Sequence, residues 1–187
     1  MLAYIFWHYR SPHVDKNTYH ERLIDFHQTL QTHKPGGFLY SAVFQIAGAP
    51  WIADGAEAYE DWYLVENSAA LDVLNEAAVD AQRKGVHDLV AHDAAKGAGG
   101  LYRLHSGKDD LARARAALWF AKPAGMSYET LYSMLAPQVR QAGAALWRRQ
   151  MVLGPAHEFC WHSPENSLLP ENFTGLQVPL ALLWCGR

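Results

Sequence analysis

Two hydrophobic periods alternate along this chain, and that alternation limits the folds open to it more than any other feature. Leu2 to Tyr9 is a short aromatic and β-branched run stopped by Ser11-Pro12, the pattern of a buried strand. From Asp15 to His33 the period changes, with Tyr19, Leu23, Phe26 and Leu30 recurring at helical spacing among polar residues. Lys34-Pro35-Gly36-Gly37 ends that amphipathic helix, because Pro and Gly cannot continue it. Phe38 to Ala47 predicts a second strand, Gly48 to Ala58 a long flap-like loop, and Tyr59 to Val65 a third strand. Asn67-Ser68 caps a helix carrying Leu71, Leu74 and Ala78, and Gly85 interrupts it. A further helical stretch, Val86 to Ala95, leads through Gly97-Ala98-Gly99-Gly100, read as a hinge, into a fourth strand, Leu101 to His105.

The order is βαββαβ, the ferredoxin-like plan. Beyond Gly107 it recurs in shortened form: a strand over Ala116 to Ala121, a helix over Ser127 to Ala142 kinked at Pro137, and a strand over Ala144 to Leu153. Three local matches point to duplication. Gly37 and Gly48 bracket ten residues, as Gly143 and Gly154 do; Asp61 to Ser68 aligns without gaps on Cys160 to Ser167; Leu101 to Gly107 aligns on Leu180 to Gly186. The chain therefore divides into a ferredoxin-like unit over residues 1–107 and a shortened one over 114–187, whose last helix has given way to Leu168 to Pro179. The two pack as one compact body.

Composition narrows the function. In 187 residues, 50% hydrophobic and 19% charged, there is enough apolar side chain for a full core and no signature of disorder. A formal charge of -3 without a basic run argues against nucleic acid as a partner. The apolar start is too short to cross a bilayer and carries no cleavage site, so a cytoplasmic protein with no membrane partner is expected. Two cysteines, Cys160 and Cys185, are too few for a disulfide framework or a thiolate zinc site.

With this element order and weak repeat, the chain resembles the dimeric α/β barrel superfamily, in the form with two ferredoxin-like units in one polypeptide. The resemblance implies an α+β fold in which two four-stranded sheets form a pseudo-dimeric barrel, helices cover the outside, and the interior holds the ligand. It also implies a range of activities: small monooxygenases, muconolactone-type isomerases, and haem enzymes of the chlorite dismutase and dye-decolorising peroxidase kinds. Fold alone does not choose among them.

Strand residues alternate faces, and assigning the more polar set to the barrel interior names a site. Tyr4, Phe6 and His8, then Ser41, Val43 and Gln45, Asp61 and Tyr63, and Arg103 and His105 would point inward, with Cys160 and His162 from the second unit. Trp62, Leu64, Tyr102, Leu104, Trp161 and Cys185 would face the helices, which would keep the two cysteines on opposite faces. His8, Asp61, Tyr63 and His105 are the candidate catalytic residues, able to combine an imidazole, a carboxylate and a phenol for general acid–base work. Phe6, Gln45, Arg103 and His162 would contact the ligand, and Trp51, in the long loop, would close the pocket as a lid.

The function expected is binding of a small aromatic or apolar molecule inside the barrel, as in a cofactor-independent monooxygenase- or isomerase-like enzyme. The alternatives are a non-catalytic binding or structural protein, or a haem-binding member whose axial residue would be His8, His105 or His162. No cofactor is otherwise expected. No metal site is expected either: His87 and His92 are five residues apart, off one helical face, while Asp88 and His92 do fit one turn, a pair that is more often a solvated helix contact than a metal site. Because one chain supplies both sheets, a monomer or weak homo-oligomer is expected, with exposed strand edges left for association.

Overall fold

The computed structural model describes residues 1–47, 51, 57–150 and 155–187. Most of the predicted flap, with Gly48 and the end of the sixth strand up to Gly154, lies outside the described residues. Strand β1 (Leu2–Arg10) leads into helix α1 (Lys16–Thr32), then β2 (Phe38–Ala47), β3 (Glu57–Val65), α2 (Ala69–Ala78), α3 (Lys84–Asp93) and β4 (Ala94–Gly107). After a short turn follow β5 (Ala116–Phe120), α4 (Tyr128–Gln141), β6 (Ala145–Arg149), β7 (Phe159–Ser163) and β8 (Gly175–Cys185).

Local chemistry explains the boundaries. The Asp15 carboxylate accepts the backbone N–H groups of Asn17 and Thr18, both at 3.0 Å, and starts α1. Ser127 does the same for α4 through the Thr130 N–H at 3.0 Å. Between α2 and α3 the break falls at Val79 to Arg83, not at Gly85. There Asp80 accepts the N–H groups of Gln82 and Arg83, offering the backbone a turn instead of a continuing helix. Gly85 sits inside α3, and α4 runs through Pro137. Between β7 and β8 the described residues form no helix.

The Gly97-to-Gly100 run is not a hinge but part of β4, laddered to β1. Phe6 and Tyr4 explain why it must be glycine. A Cβ at Gly97 would lie 2.5 Å from the Phe6 ring, and one at Gly99 would lie 2.8 Å from the Tyr4 hydroxyl. These rings lie flat across β4 because the strand has no side chains there.

All neighbouring strands pair antiparallel, and the eight close into a barrel in the order β1-β3-β2-β8-β5-β7-β6-β4. Within this ring the first four strands run β4-β1-β3-β2 and the last four β8-β5-β7-β6, joined by the β2–β8 and β4–β6 ladders. Closure leaves no terminal strand among the described residues, although Ala94–Gly100 of β4 and Phe38–Ser41 of β2 ladder on one side only.

The barrel is filled by its own side chains. One continuous core draws Ala3, Ile5 and Trp7 from β1, Ala42 and Phe44 from β2, Trp62 and Leu64 from β3, and Tyr102 from β4. The other four strands add Trp119, Trp147, Cys160 and Val178. The indoles meet edge to face, Trp62 on Trp147 at 5.2 Å and Trp7 on Trp119 at 5.5 Å between centroids, the arrangement the ring quadrupole favours. Glu60 is fully buried among them, accepting the Trp7 Nε1–H at 2.7 Å and the Trp62 Nε1–H at 2.5 Å.

The inward set in the first half is therefore the opposite of the one predicted. Tyr4, Phe6, His8, Ser41, Val43, Asp61 and Tyr63 face the helices, while Trp62, Leu64, Tyr102, Leu104 and Cys185 side with the barrel core. The reason is volume: large indoles alternating with alanines pack the ring, and the polar residues are left to the outer face. In the second half Cys160 and His162 do point inward and Trp161 outward. Both cysteines are free, yet they share a face, so separation across the sheet is not what keeps them apart. The gap-free match of Asp61 to Ser68 on Cys160 to Ser167 equates Trp62, which points inward, with Trp161, which points outward. Those two segments do not align in structure as they do in sequence.

Candidate functional site

The polar residues excluded from the barrel meet on the outer face of the first four strands. His8 on β1 and Asp61 on β3 are register neighbours, since Phe6 pairs with Asp61 and His8 with Tyr59, so their side chains emerge on the same side of the sheet. Helix α1 lays Tyr19, Phe26, His27 and Leu30 over them. Helices α2 and α3 stand farther off, and between these helices and the sheet lies a cavity of about 700 Å³. Its walls are mainly apolar, with Phe6, Phe26, Leu30, Leu71, Leu74 and Val90, and its floor holds Tyr4, His8, Asp61 and Tyr63.

Asp61 organises the floor. Its Oδ2 receives His8 Nε2 at 3.1 Å and the Tyr63 hydroxyl at 3.3 Å, and stands 3.5 Å from His27 Nε2. The second nitrogen of each imidazole is also engaged: Tyr19 Oη lies 2.6 Å from His8 Nδ1, and Ser41 Oγ lies 2.8 Å from His27 Nδ1. With Asp61 as acceptor, the tautomers follow. Each Nε2 carries the proton directed at the carboxylate, and each Nδ1 shares a hydrogen bond with a hydroxyl. Asp61 Oδ1, in contrast, is buried with no hydrogen-bond partner among the described residues. Buried polar atoms are nearly all hydrogen-bonded, so this oxygen is an exception that calls for an account.

The electrostatics keep Asp61 ionised and the phenols around it undissociated. Burial by itself would raise the Asp61 pKa, but His8 and His27 outweigh it and keep the carboxyl well below its usual range. Burial first, and the Asp61 charge second, push Tyr63 well above the ordinary phenol value, and the same two causes raise Tyr4 and Tyr19. At neutral pH the floor thus presents one carboxylate and several undissociated phenols.

Of the predicted catalytic residues, His8, Asp61 and Tyr63 come together, with Phe6 from the ligand-binding set, but between sheet and helices, not inside the barrel. His105 stands apart, its ring stacked 3.6 Å from that of Tyr132 on α4. Arg103 is exposed and donates to Gln150 Oε1 at 3.2 Å. Gln45 sits opposite Tyr59 in the β2–β3 ladder, away from the cavity. Trp51 packs edge-on against Trp7 and Trp119 of the barrel core and does not cover the cavity. His162 lies inside the barrel, 4.3 Å from the Trp62 ring and 3.8 Å from Glu60.

Of the three histidines named for haem, His8 has both ring nitrogens engaged, His105 stacks on Tyr132 of α4, and His162 is buried beside the Trp62 ring. Two residues of the site were not assigned to it from the sequence, Tyr19, read there only as part of the apolar stripe of a helix, and His27. Their signal was a fully buried stripe on α1 in which Tyr19 and His27 accompany Leu23, Phe26 and Leu30. A polar ring in such a stripe needs a partner on the sheet beneath it.

No family model matches the chain, and no curated protein matches it. Solved structures do. A candidate monooxygenase from Fusobacterium nucleatum subsp. nucleatum ATCC 25586 superposes over 98% of this chain and 93% of its own, with a TM-score of 0.64 and 7% identity. A candidate monooxygenase from Lactobacillus acidophilus NCFM covers 98% and 95%, with a TM-score of 0.62 and 9% identity. An anthrone oxidase-like protein covers 96% and 91%, at 0.51 and 8%. At these identities the likeness concerns the fold.

Proposed function

Starting from the dimeric α/β barrel fold that this chain has, we propose that it binds a small aromatic molecule bearing a hydroxyl or N–H donor in the cavity beneath α1, α2 and α3, and that Asp61 Oδ1 accepts that donor. The observation that carries this reading is Asp61, a carboxylate on the floor of a 700 Å³ cavity with one oxygen, Oδ1, that has no hydrogen-bond partner among the described residues. The volume suits a molecule of two or three fused rings, and the apolar walls supply most of the affinity.

Chemistry at the site is general-base assistance. Moving a proton from a phenol near pKa 10 to a carboxylate at or below 4 is uphill by about 8 kcal/mol or more. The hydroxyl therefore stays protonated in the bound state. Its proton shifts toward Asp61 only as electron density is drawn into a reacting ring, while His8 and His27 hold the carboxylate in place. Tyr4 remains a donor to any oxyanion that forms beside it, because its own ionisation is suppressed. This is a reading in the cofactor-independent, monooxygenase- or isomerase-like class, and the candidate monooxygenases and anthrone oxidase-like protein of the same fold support it.

The repeated strand order, with left-handed glycines Gly37 and Gly143 ahead of β2 and β6, supports an internal duplication whose two copies are residues 1–107 and 114–187. A chain that closes its own barrel is taken to act as a monomer or weak homo-oligomer.

Calorimetry with 2-naphthol and with naphthalene tests the reading. The wild-type chain should prefer 2-naphthol by tenfold or more, as a hydrogen bond to a charged acceptor is worth about 1.5–3 kcal/mol. Asp61→Asn should bind the two alike while keeping its circular dichroism spectrum. Equal affinities in the wild-type chain, or binding of neither compound, would remove the basis for the assignment.

A further inference from the structure

Where the β1–α1 loop meets the C-terminal end of α3, a second group of side chains converges that sequence spacing along α3 does not reveal. His92 Nδ1 lies 3.1 Å from Asp93 Oδ1, and His13 Nε2 lies 3.6 Å from the same oxygen. The donor atoms of His13, His92 and Asp93 all fall within 4.8 Å of one another. Asp88, the residue one turn before His92, is taken instead by Lys84 at 2.7 Å and by His87.

The three residues are held in place from outside the group. Asp93 is 2% exposed, and Arg22 grips its Oδ2, leaving Oδ1 directed at the histidines. Ser11 Oγ bonds His13 Nδ1 at 2.5 Å, so that Nε2 is the nitrogen turned toward Asp93. The Ser11 N–H donates to the Asp93 backbone carbonyl at 2.7 Å and ties the loop to the helix end. Partners on the far nitrogen and the far carboxylate oxygen are what orient metal ligands in proteins. The imidazoles themselves are solvent-exposed, so an ion reaches them directly.

The geometry points to a binding site for one divalent transition metal ion of the zinc class, held by His13 Nε2, His92 Nδ1 and Asp93 Oδ1. Two imidazoles and a carboxylate form a donor set for zinc and its neighbours, whereas calcium and magnesium favour all-oxygen shells. With bonds of roughly 2.0–2.2 Å, tetrahedral ligands sit about 3.3–3.5 Å apart. The two histidine-to-carboxylate separations, 3.1 and 3.6 Å, bracket that spacing. Arg22 sharpens the choice by offsetting the carboxylate charge on which hard cations depend, while leaving the nitrogens that a softer ion prefers. Three protein ligands leave a position for water. Bound there, the ion fastens the loop to α3, whose Val90 and Ala91 wall the cavity.

Zinc titration of the chelator-treated chain by calorimetry, in parallel with His13→Ala, His92→Ala and the exposed control His33→Ala, tests the site. The expected result is one zinc ion per chain, tenfold or greater loss of affinity in each of the first two variants, and no change in the control. The melting temperature of the wild-type chain should rise with zinc, and that of the His13→Ala/His92→Ala double variant should not. No wild-type binding tighter than about 100 μM, or equal affinity in all variants, overturns the proposal.

Discussion

The two outer faces of this barrel are built over the same strand order and finished in opposite ways. Over the first four strands, three helices border a cavity with charged and phenolic groups on its floor. Over the last four, α4 is the one helix among the described residues that packs on the sheet. Leu131, Leu135 and Val139 pack into Phe120, Leu146, Phe159 and Trp161, with Leu169 and Phe173 closing the side. Phe120 and Phe159 stack 5.3 Å apart where the first half keeps open space. Topology sets where a site can be; whether one exists depends on how many helices stand off the sheet and whether the strands beneath them carry polar or apolar rings.

Substitution can break this contrast. The largest effect should come from Phe159→Ala on the solid face, a loss of roughly 3–5 kcal/mol in urea unfolding. Leu71→Ala, on the cavity wall, should cost about 1 kcal/mol or less, since its side chain already borders a void. Comparable losses at the two positions would mean that the cavity is not open in solution. Next in size is Gly97→Ala, whose new Cβ would meet the Phe6 ring and tip it off the cavity floor. A cost of about 1–3 kcal/mol is expected, with weakened 2-naphthol binding; an unchanged affinity would free Phe6 from the site.

The smallest effect is a pH dependence. The Asp61 carboxyl has its pKa lowered by folding, so its contribution is complete above the unfolded value of about 4 and is lost as pH falls from there toward the folded value. Wild-type chain should exceed Asp61→Asn in stability at pH 6, and the gap should narrow, by on the order of 1 kcal/mol, between pH 5 and pH 2.5. A gap that stays constant over that range would show that Asp61 gains nothing from His8 and His27.

Much of this was legible in the residues. The change from strand to helix period placed β1, α1, β2 and β3 to within two residues, because each period is written by side chains the element itself must bury. The convergence of His8, Asp61 and Tyr63 was legible too, since equal parity on adjacent strands puts side chains on one face whichever face that is. Which face was not. Parity divides a strand into two sets without saying which is inside, and here the indoles of Trp7, Trp62, Trp119 and Trp147 decided it by occupying the barrel. His105 and Arg103 were assigned by the same parity, yet they lie on the part of β4 that α4 and β6 adjoin, far along the strand from the cavity. The grouping of His13 with His92 had no local signal, because it depends on where a loop after β1 comes to rest.

Closure of the ring through the β2–β8 and β4–β6 ladders has a consequence for divergence. Where two identical polypeptides assemble such a structure, every amino-acid change is written twice, and a substitution that opens one pocket weakens the opposite wall as well. A single polypeptide escapes that coupling. One flank can be hollowed while the other is consolidated.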